Sequence, residues 1–158
     1  MKTKFLMNSV FTSIMLLFAT AAFSQTSNKK VNTEINSALL TWNHAAKEAD
    51  LKGFMNLFDD SENSMLVGSD SGEIFKGKAQ ISQWLSMLFK HNRFEWEMNT
   101  IHIDSYKNTA WVFVDGFMIV TNDKGKANKT PYRFSGVLVK QKHEWKWRIF
   151  DGSIPRGE

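Results

Sequence analysis

The last third of the chain, from Thr109 to Ser153, limits the fold more than any other stretch. Three segments, Ala110–Val120, Tyr132–Lys140 and Trp145–Asp151, are rich in β-branched and aromatic residues and are predicted strands. The breaks carry Asn122, Asp123, Gly125 and Asn128, then Gln141–Glu144, and are short enough for an antiparallel meander. A turn centred near Gly125 sets Asp115 opposite Ser135. One centred near Lys142 sets Ser135 opposite Asp151. Side chains alternate between faces. One face then carries Trp111, Phe113, Asp115 and Phe117 of the first strand, Arg133, Ser135 and Val137 of the second, and Trp145, Trp147, Ile149 and Asp151 of the third. The other carries Val112, Val114, Met118, Tyr132, Phe134, Leu138 and Phe150. A slip of one residue would scatter this grouping.

Helical patterns precede the meander. Ile35, Ala38, Leu39, Trp42, Ala45, Ala46 and Ala49 recur at helical spacing and form one apolar stripe. Leu51–Phe58 reads as a short second helix and Ala79–Lys90 as a third, whose face is Ile81, Trp84, Leu85, Leu88 and Phe89. Ser64–Gly68 is a candidate short strand and Ser69–Gly72 a turn. Arg93–Tyr106 alternates in part and is a predicted long strand with a bulge near Thr100. Helices followed by a curved antiparallel sheet make an α+β fold. The helical stripes need a partner, and the tryptophan-bearing sheet face is assigned that role. Helices covering one end of a curved sheet leave a cone open at the other, the usual form of a small-ligand site.

The chain has 158 residues, enough for one domain, and 42% are hydrophobic, enough for a core. There is no cysteine, which excludes disulfides and thiolate chemistry. The first 24 residues read as a signal peptide: Lys2 and Lys4, an apolar Val10–Ala22, and Ala22-Phe23-Ser24 before a predicted cleavage at Gln25. The apolar run is short for a bilayer span, so no membrane anchor is expected after cleavage, and the mature chain is expected to be periplasmic or secreted. Gln25–Lys30 reads as a flexible leader, and residues 31–155 as the folded domain. The net charge of +4 falls by two when Lys2 and Lys4 leave, and the basic run Lys124–Lys129 reads as a solvated hairpin tip. No nucleic-acid partner is expected from so weak a balance.

The order of elements resembles the nuclear transport factor 2/ketosteroid isomerase superfamily, and within it the SnoaL-like proteins. The matching stretches are Trp42-Asn-His-Ala-Ala-Lys-Glu-Ala-Asp-Leu-Lys-Gly-Phe-Met-Asn-Leu-Phe, then Val67-Gly-Ser-Asp-Ser-Gly-Glu-Ile-Phe-Lys-Gly with the helix Ile81–Phe89. The ending Gly136-Val-Leu-Val-Lys and Glu144-Trp-Lys-Trp-Arg-Ile-Phe-Asp-Gly-Ser also matches. The resemblance implies a cone-shaped α+β barrel. It does not imply one activity, because the superfamily hosts isomerases, cyclases, hydrolases, dehydratases and non-enzymatic domains. Trp42 stands where the isomerases place an oxyanion tyrosine, and an indole lacks the acidic phenolic proton. Met65–Val67 stands near the position of their general base, and Arg133 or Ser135 near that of their second oxyanion acid. Ketosteroid isomerisation does not follow. Limonene epoxide hydrolases use an Asp–Arg–Asp set, whose residue types recur in Asp115, Arg133 and Asp151.

Asp115 lies in an apolar strand, where a buried carboxylate needs a partner, and Arg133 is the nearest candidate. Two readings stand: an ion-pair network stitching the strands, or a site in which Asp115 or Asp151 acts as a base beside Arg133. Trp42, Trp147, Ser135 and Phe113 are candidate ligand-binding residues, and Trp111 a core residue. Asp70 and Glu73 read as turn residues, with the wrong spacing for a calcium loop. His44, His91, His102 and His143 show no metal spacing, and no cofactor motif is present. The apolar Val112/Phe134 face, uncovered by helices in this scheme, suggests a homodimer through the sheet. Three functions remain: a domain binding a small hydrophobic molecule, a cofactor-independent hydrolase or isomerase using Asp115 or Asp151 with Arg133, and an interaction domain with a filled cone.

Overall fold

The computed structural model describes residues 29–156. The expected signal peptide and most of the expected leader lie outside them. The chain divides into two compact units, one ending at Thr33 and one beginning at Glu34. The described part of the first, 29–33, is helical. The second carries everything described below.

In the second unit helix α1, helical over 34–47, buries Ile35, Leu39, Trp42 and Ala46, one stripe of the 3.6-residue period. Ala49, at a positive φ of 51°, ends the turn that follows. Asp50 then caps α2, Leu51–Asn56, accepting the Gly53 N–H at 2.9 Å. Phe58, expected inside that helix, leaves it to form a bridge with Trp147. Helix α3, Gly77–His91, starts at Gly77, whose φ of +75° suits glycine, and buries Ile81, Leu85 and Phe89.

Six strands form one sheet in the order β2-β1-β6-β5-β4-β3. They are β1 Met65–Val67, β2 Ile74–Lys76, β3 Asn92–Tyr106, β4 Thr109–Asn122, β5 Ala127–Gln141 and β6 Glu144–Ser153. The meander and its antiparallel pairing are as expected, and so is the irregularity in β3, between Met98 and Thr100. Ser135 faces Asp151 as expected. Asp115 faces Arg133, two residues from the expected Ser135, which leaves its face unchanged.

The choice of covered face is reversed. The buried side carries Val112, Val114, Tyr132, Phe134, Leu138 and Phe150. Trp111 and Phe113 are 46% and 42% exposed on the other side, so Trp111 is not core. The cause is a second irregularity. Val137 pairs with Ile149, but Leu138 pairs with Trp147, so Arg148 is an extra residue in β6. One extra residue inverts the alternation on either side of it. Trp145 and Trp147 therefore join the Phe134 side, while Ile149 and Asp151 keep to the Trp111 side. Gly136 permits this close approach: a Cβ there would overlap the Ile149 carbonyl oxygen and come within 2.7 Å of the Trp147 ring. With two more tryptophans, the Phe134 side has the larger apolar area to bury, and α1 sets Trp42 onto it. Trp42 packs on Trp96, Phe134, Trp147 and Phe150 with centroids 4.2 to 5.8 Å apart.

The residues expected to form a dimer through the sheet, Val112, Val114, Tyr132, Phe134, Leu138 and Phe150, are thus the core of the unit.

Candidate functional site

The helices and the concave sheet face enclose a cavity of about 290 Å³. Trp42, Phe54, Phe89, Trp96 and Phe150 form its buried wall. Trp84, Leu88, Phe94, Met118 and Val120, all partly exposed, complete the lining. The α3 face read from the sequence thus serves two purposes: Ile81 packs in the core, while Trp84 and Leu88 face the cavity. The pairs Phe94↔Val120 and Trp96↔Met118 of β3 and β4 supply its sheet side.

Few polar groups reach this space. Tyr132 is 5% exposed, and burial, then the charges of Glu73, Asp151 and Asp70, push its phenol well above the ordinary tyrosine value. A hydrogen bond with Ser69 works the other way. The phenol is therefore a neutral donor across the working pH range. Ser69, Asp70 and Glu73 come from the β1–β2 hairpin, which turns at Gly72 with φ of +85°. Glu73 closes this hairpin: its Oε2 accepts the Asp70 N–H at 3.1 Å, and its carbonyl accepts the Gly68 N–H at 2.8 Å. Two indole N–H groups in the wall, of Trp42 and Trp96, are buried without an acceptor among the described residues. An unmet buried donor costs about 1–3 kcal/mol.

The residues singled out in the sequence separate into three places. Trp42 lines the cavity. Trp147 stands behind the wall, 1% exposed and 5.8 Å from Trp42, without lining it. Asp115, Arg133, Asp151, Ser135 and Phe113 lie on the outer face of the sheet, away from the cavity. Arg133 Nε donates to Asp115 Oδ1 at 2.6 Å, with both side chains about half exposed, so they form a solvated cross-strand pair. Phe113, Ser135 and Asp151 share an open depression there with His102 and Trp111. The expectation that these side chains point into the cone is corrected. They follow the outer face because the bulge at Arg148 hands the inner one to Trp147 and Phe150.

Tyr132, Glu73 and Asp70 were missed as site residues. Tyr132 lay on the face assigned to the outside, and the acids sat in a stretch that reads as a turn. The alternation of Phe94, Trp96 and Met98 was the one local signal for the sheet wall. Among the described residues, no three His, Asp or Glu side chains cluster so as to hold a metal ion, and no helix is long and apolar enough to cross a membrane.

The family model described as a SnoaL-like domain matches residues 35–157. The chain belongs to the SnoaL-like domain family. Solved structures agree in fold. A nuclear transport factor 2-like superfamily protein from Salmonella enterica serovar Typhimurium superposes with a TM-score of 0.71 at 19% identity, over 82% of this chain and 94% of that one. A ketosteroid isomerase-like protein from Erwinia carotovora matches with a TM-score of 0.65 at 17% identity, over 79% of this chain and 96% of that one. A nuclear transport factor 2-like protein from Pseudomonas putida matches at 0.69 and 14% identity, over 82% and 89%. No curated protein matches. At these identities the SnoaL-like fold is what the structures share with this chain.

Proposed function

We propose that this SnoaL-like domain binds a small, flat, largely apolar molecule in the concave cavity. The single observation that carries this is the cavity itself, whose wall is mostly aromatic and aliphatic and is interrupted by a few polar groups on one hairpin and at Tyr132. The test is a titration of the full chain with 1-methylnaphthalene, followed by tryptophan fluorescence, beside the variant Leu88→Trp, which fills the cavity. Saturable binding that the variant loses supports the reading. No saturable binding, or equal binding by the variant, defeats it.

Acid/base catalysis without a cofactor is a second reading. One observation favours it: a phenol held neutral, Tyr132, shares the cavity with two carboxylates, Glu73 and Asp70. The acid and base would be these groups, because Asp115, Asp151 and Arg133 lie across the sheet from the cavity. We further propose export, which rests on the charge and apolar pattern of residues 1–24. We also propose a homodimer through the outer sheet face. Its support is the exposure of Trp111 and Phe113 beside an acid and a base, Asp115 and Arg133, a pattern that a second copy in the opposite orientation would complement.

A further inference from the structure

The charges on the cavity run against the composition of the chain. The sequence has 20 Lys and Arg against 16 Asp and Glu, yet among the described residues the charged ones lining the cavity are Asp70 and Glu73, with no Lys, Arg or His in the lining. Neither acid belongs to an ion pair among the described residues, where eight ion pairs are formed elsewhere. Glu73 spends one oxygen on the Asp70 backbone N–H, a bond that positions the carboxylate without neutralising it. Eight aromatic residues line the same cavity. The faces of such rings are the negative end of their quadrupoles, and they attract cations as carboxylates do. A concave site with low-dielectric walls focuses that field. The phenol of Tyr132 lies near enough to be pushed up by burial first and then by the charges of Glu73, of Asp151 across the sheet, and of Asp70.

We infer that the cavity selects an organic cation: a flat apolar body bearing a protonated amine or quaternary nitrogen, with the body against Trp84, Trp96 and Phe94 and the nitrogen toward Asp70 and Glu73. This rests on the reading that the cavity takes a small flat molecule, and it names the chemical class. An anionic ligand of the same shape would meet two carboxylates with no counter-charge.

The test uses three probes of one shape: N-methylquinolinium, neutral 1-methylnaphthalene and anionic 1-naphthoate. Each is titrated by calorimetry into the full chain and into the double variant Asp70→Asn/Glu73→Gln. Asparagine and glutamine keep an acceptor oxygen, so the hairpin bond of Glu73 survives, and circular dichroism checks the fold. The cation is expected to bind at least about tenfold tighter than the neutral ring, with the anion weakest. The double variant is expected to bring the cation to the level of the neutral ring and leave the neutral ring unchanged. A neutral ring that binds as tightly as the cation overturns the inference and leaves the cavity reading intact, as does a preference that survives in the double variant. Failure of all three probes to bind overturns the cavity reading and this inference with it.

Discussion

Asp59 is the carboxylate in this unit whose loss is expected to cost most, although nothing around it in the sequence marks it. It is 0% exposed. Its Oδ1 accepts the Ser61 N–H at 2.6 Å and the Ser64 hydroxyl at 2.9 Å, and its Oδ2 accepts from Arg148 Nε. Its backbone N–H donates to the Trp147 carbonyl at 2.9 Å. The residue therefore ties the segment after α2 to the bulge in β6 that decides which sheet face is covered. Asp59→Ala strips Arg148 of its partner and leaves the Ser61 N–H without its acceptor, while the Ser64 hydroxyl keeps the Asp59 carbonyl, 3.0 Å away. Breaking a buried pair from one side costs about 3–5 kcal/mol. The Arg148 side chain is 34% exposed, so water takes up part of its charge and the lower end, about 3 kcal/mol, applies. Asp59→Asn keeps an acceptor for Ser64 and loses only the charge, and falls between. Asp115→Asn, at the half-exposed pair with Arg133, is expected to cost under about 1 kcal/mol. Urea unfolding of the four proteins, compared at equal m, measures all three differences. If Asp115→Asn cost as much as Asp59→Ala, the assignment of inner and outer faces would be wrong.

Tyr132→Phe is expected to lose about 1 kcal/mol at neutral pH through the Ser69 hydrogen bond. Folding raises the pKa of this phenol, so its stabilising share is complete below the unfolded value of about 10 and is lost as pH climbs toward the folded one. The variant's stability should therefore fall less steeply above that pH, and identical alkaline slopes in thermal melts would contradict this. Gly116→Ala should destabilise by about 3 kcal/mol in urea unfolding, because its Cβ would overlap the Glu97 carbonyl oxygen and lie 3.1 Å from the Asn99 nitrogen, both rigid backbone at the β3 bulge. A neutral result would mean that the bulge is placed differently. Trp111→Glu combined with Phe113→Glu should convert a dimer to a monomer in light scattering with the fold retained, since both side chains are exposed. A monomeric parent chain would refute the dimer.

The elements of this fold are written in local patterns. The stripe Ile35, Leu39, Trp42, Ala46 specifies α1, and the breaks at Gly125 and Lys142 specify the meander. Each depends on neighbours a few residues apart, which a sequence displays directly. The site was legible only at Trp42. The acids of the hairpin between β1 and β2 look like any turn, because the reason they matter is a cavity made by α3, β3 and β4.

What the sequence by itself determined is the helices, the four long strands, their order and the antiparallel pairing of the meander; the short strand β2 and the parallel pairing of β1 with β6 were not in it. What only the tertiary structure decided is which side of the sheet the helices cover. Two faces of nearly equal apolar content compete for that cover, and the contest turned on one inserted residue, Arg148, admitted by the missing side chain of Gly136. Alternation along a strand carries no record of such an insertion. The insertion sends Trp147 inward, Asp151 outward, and with them the place where a ligand can sit.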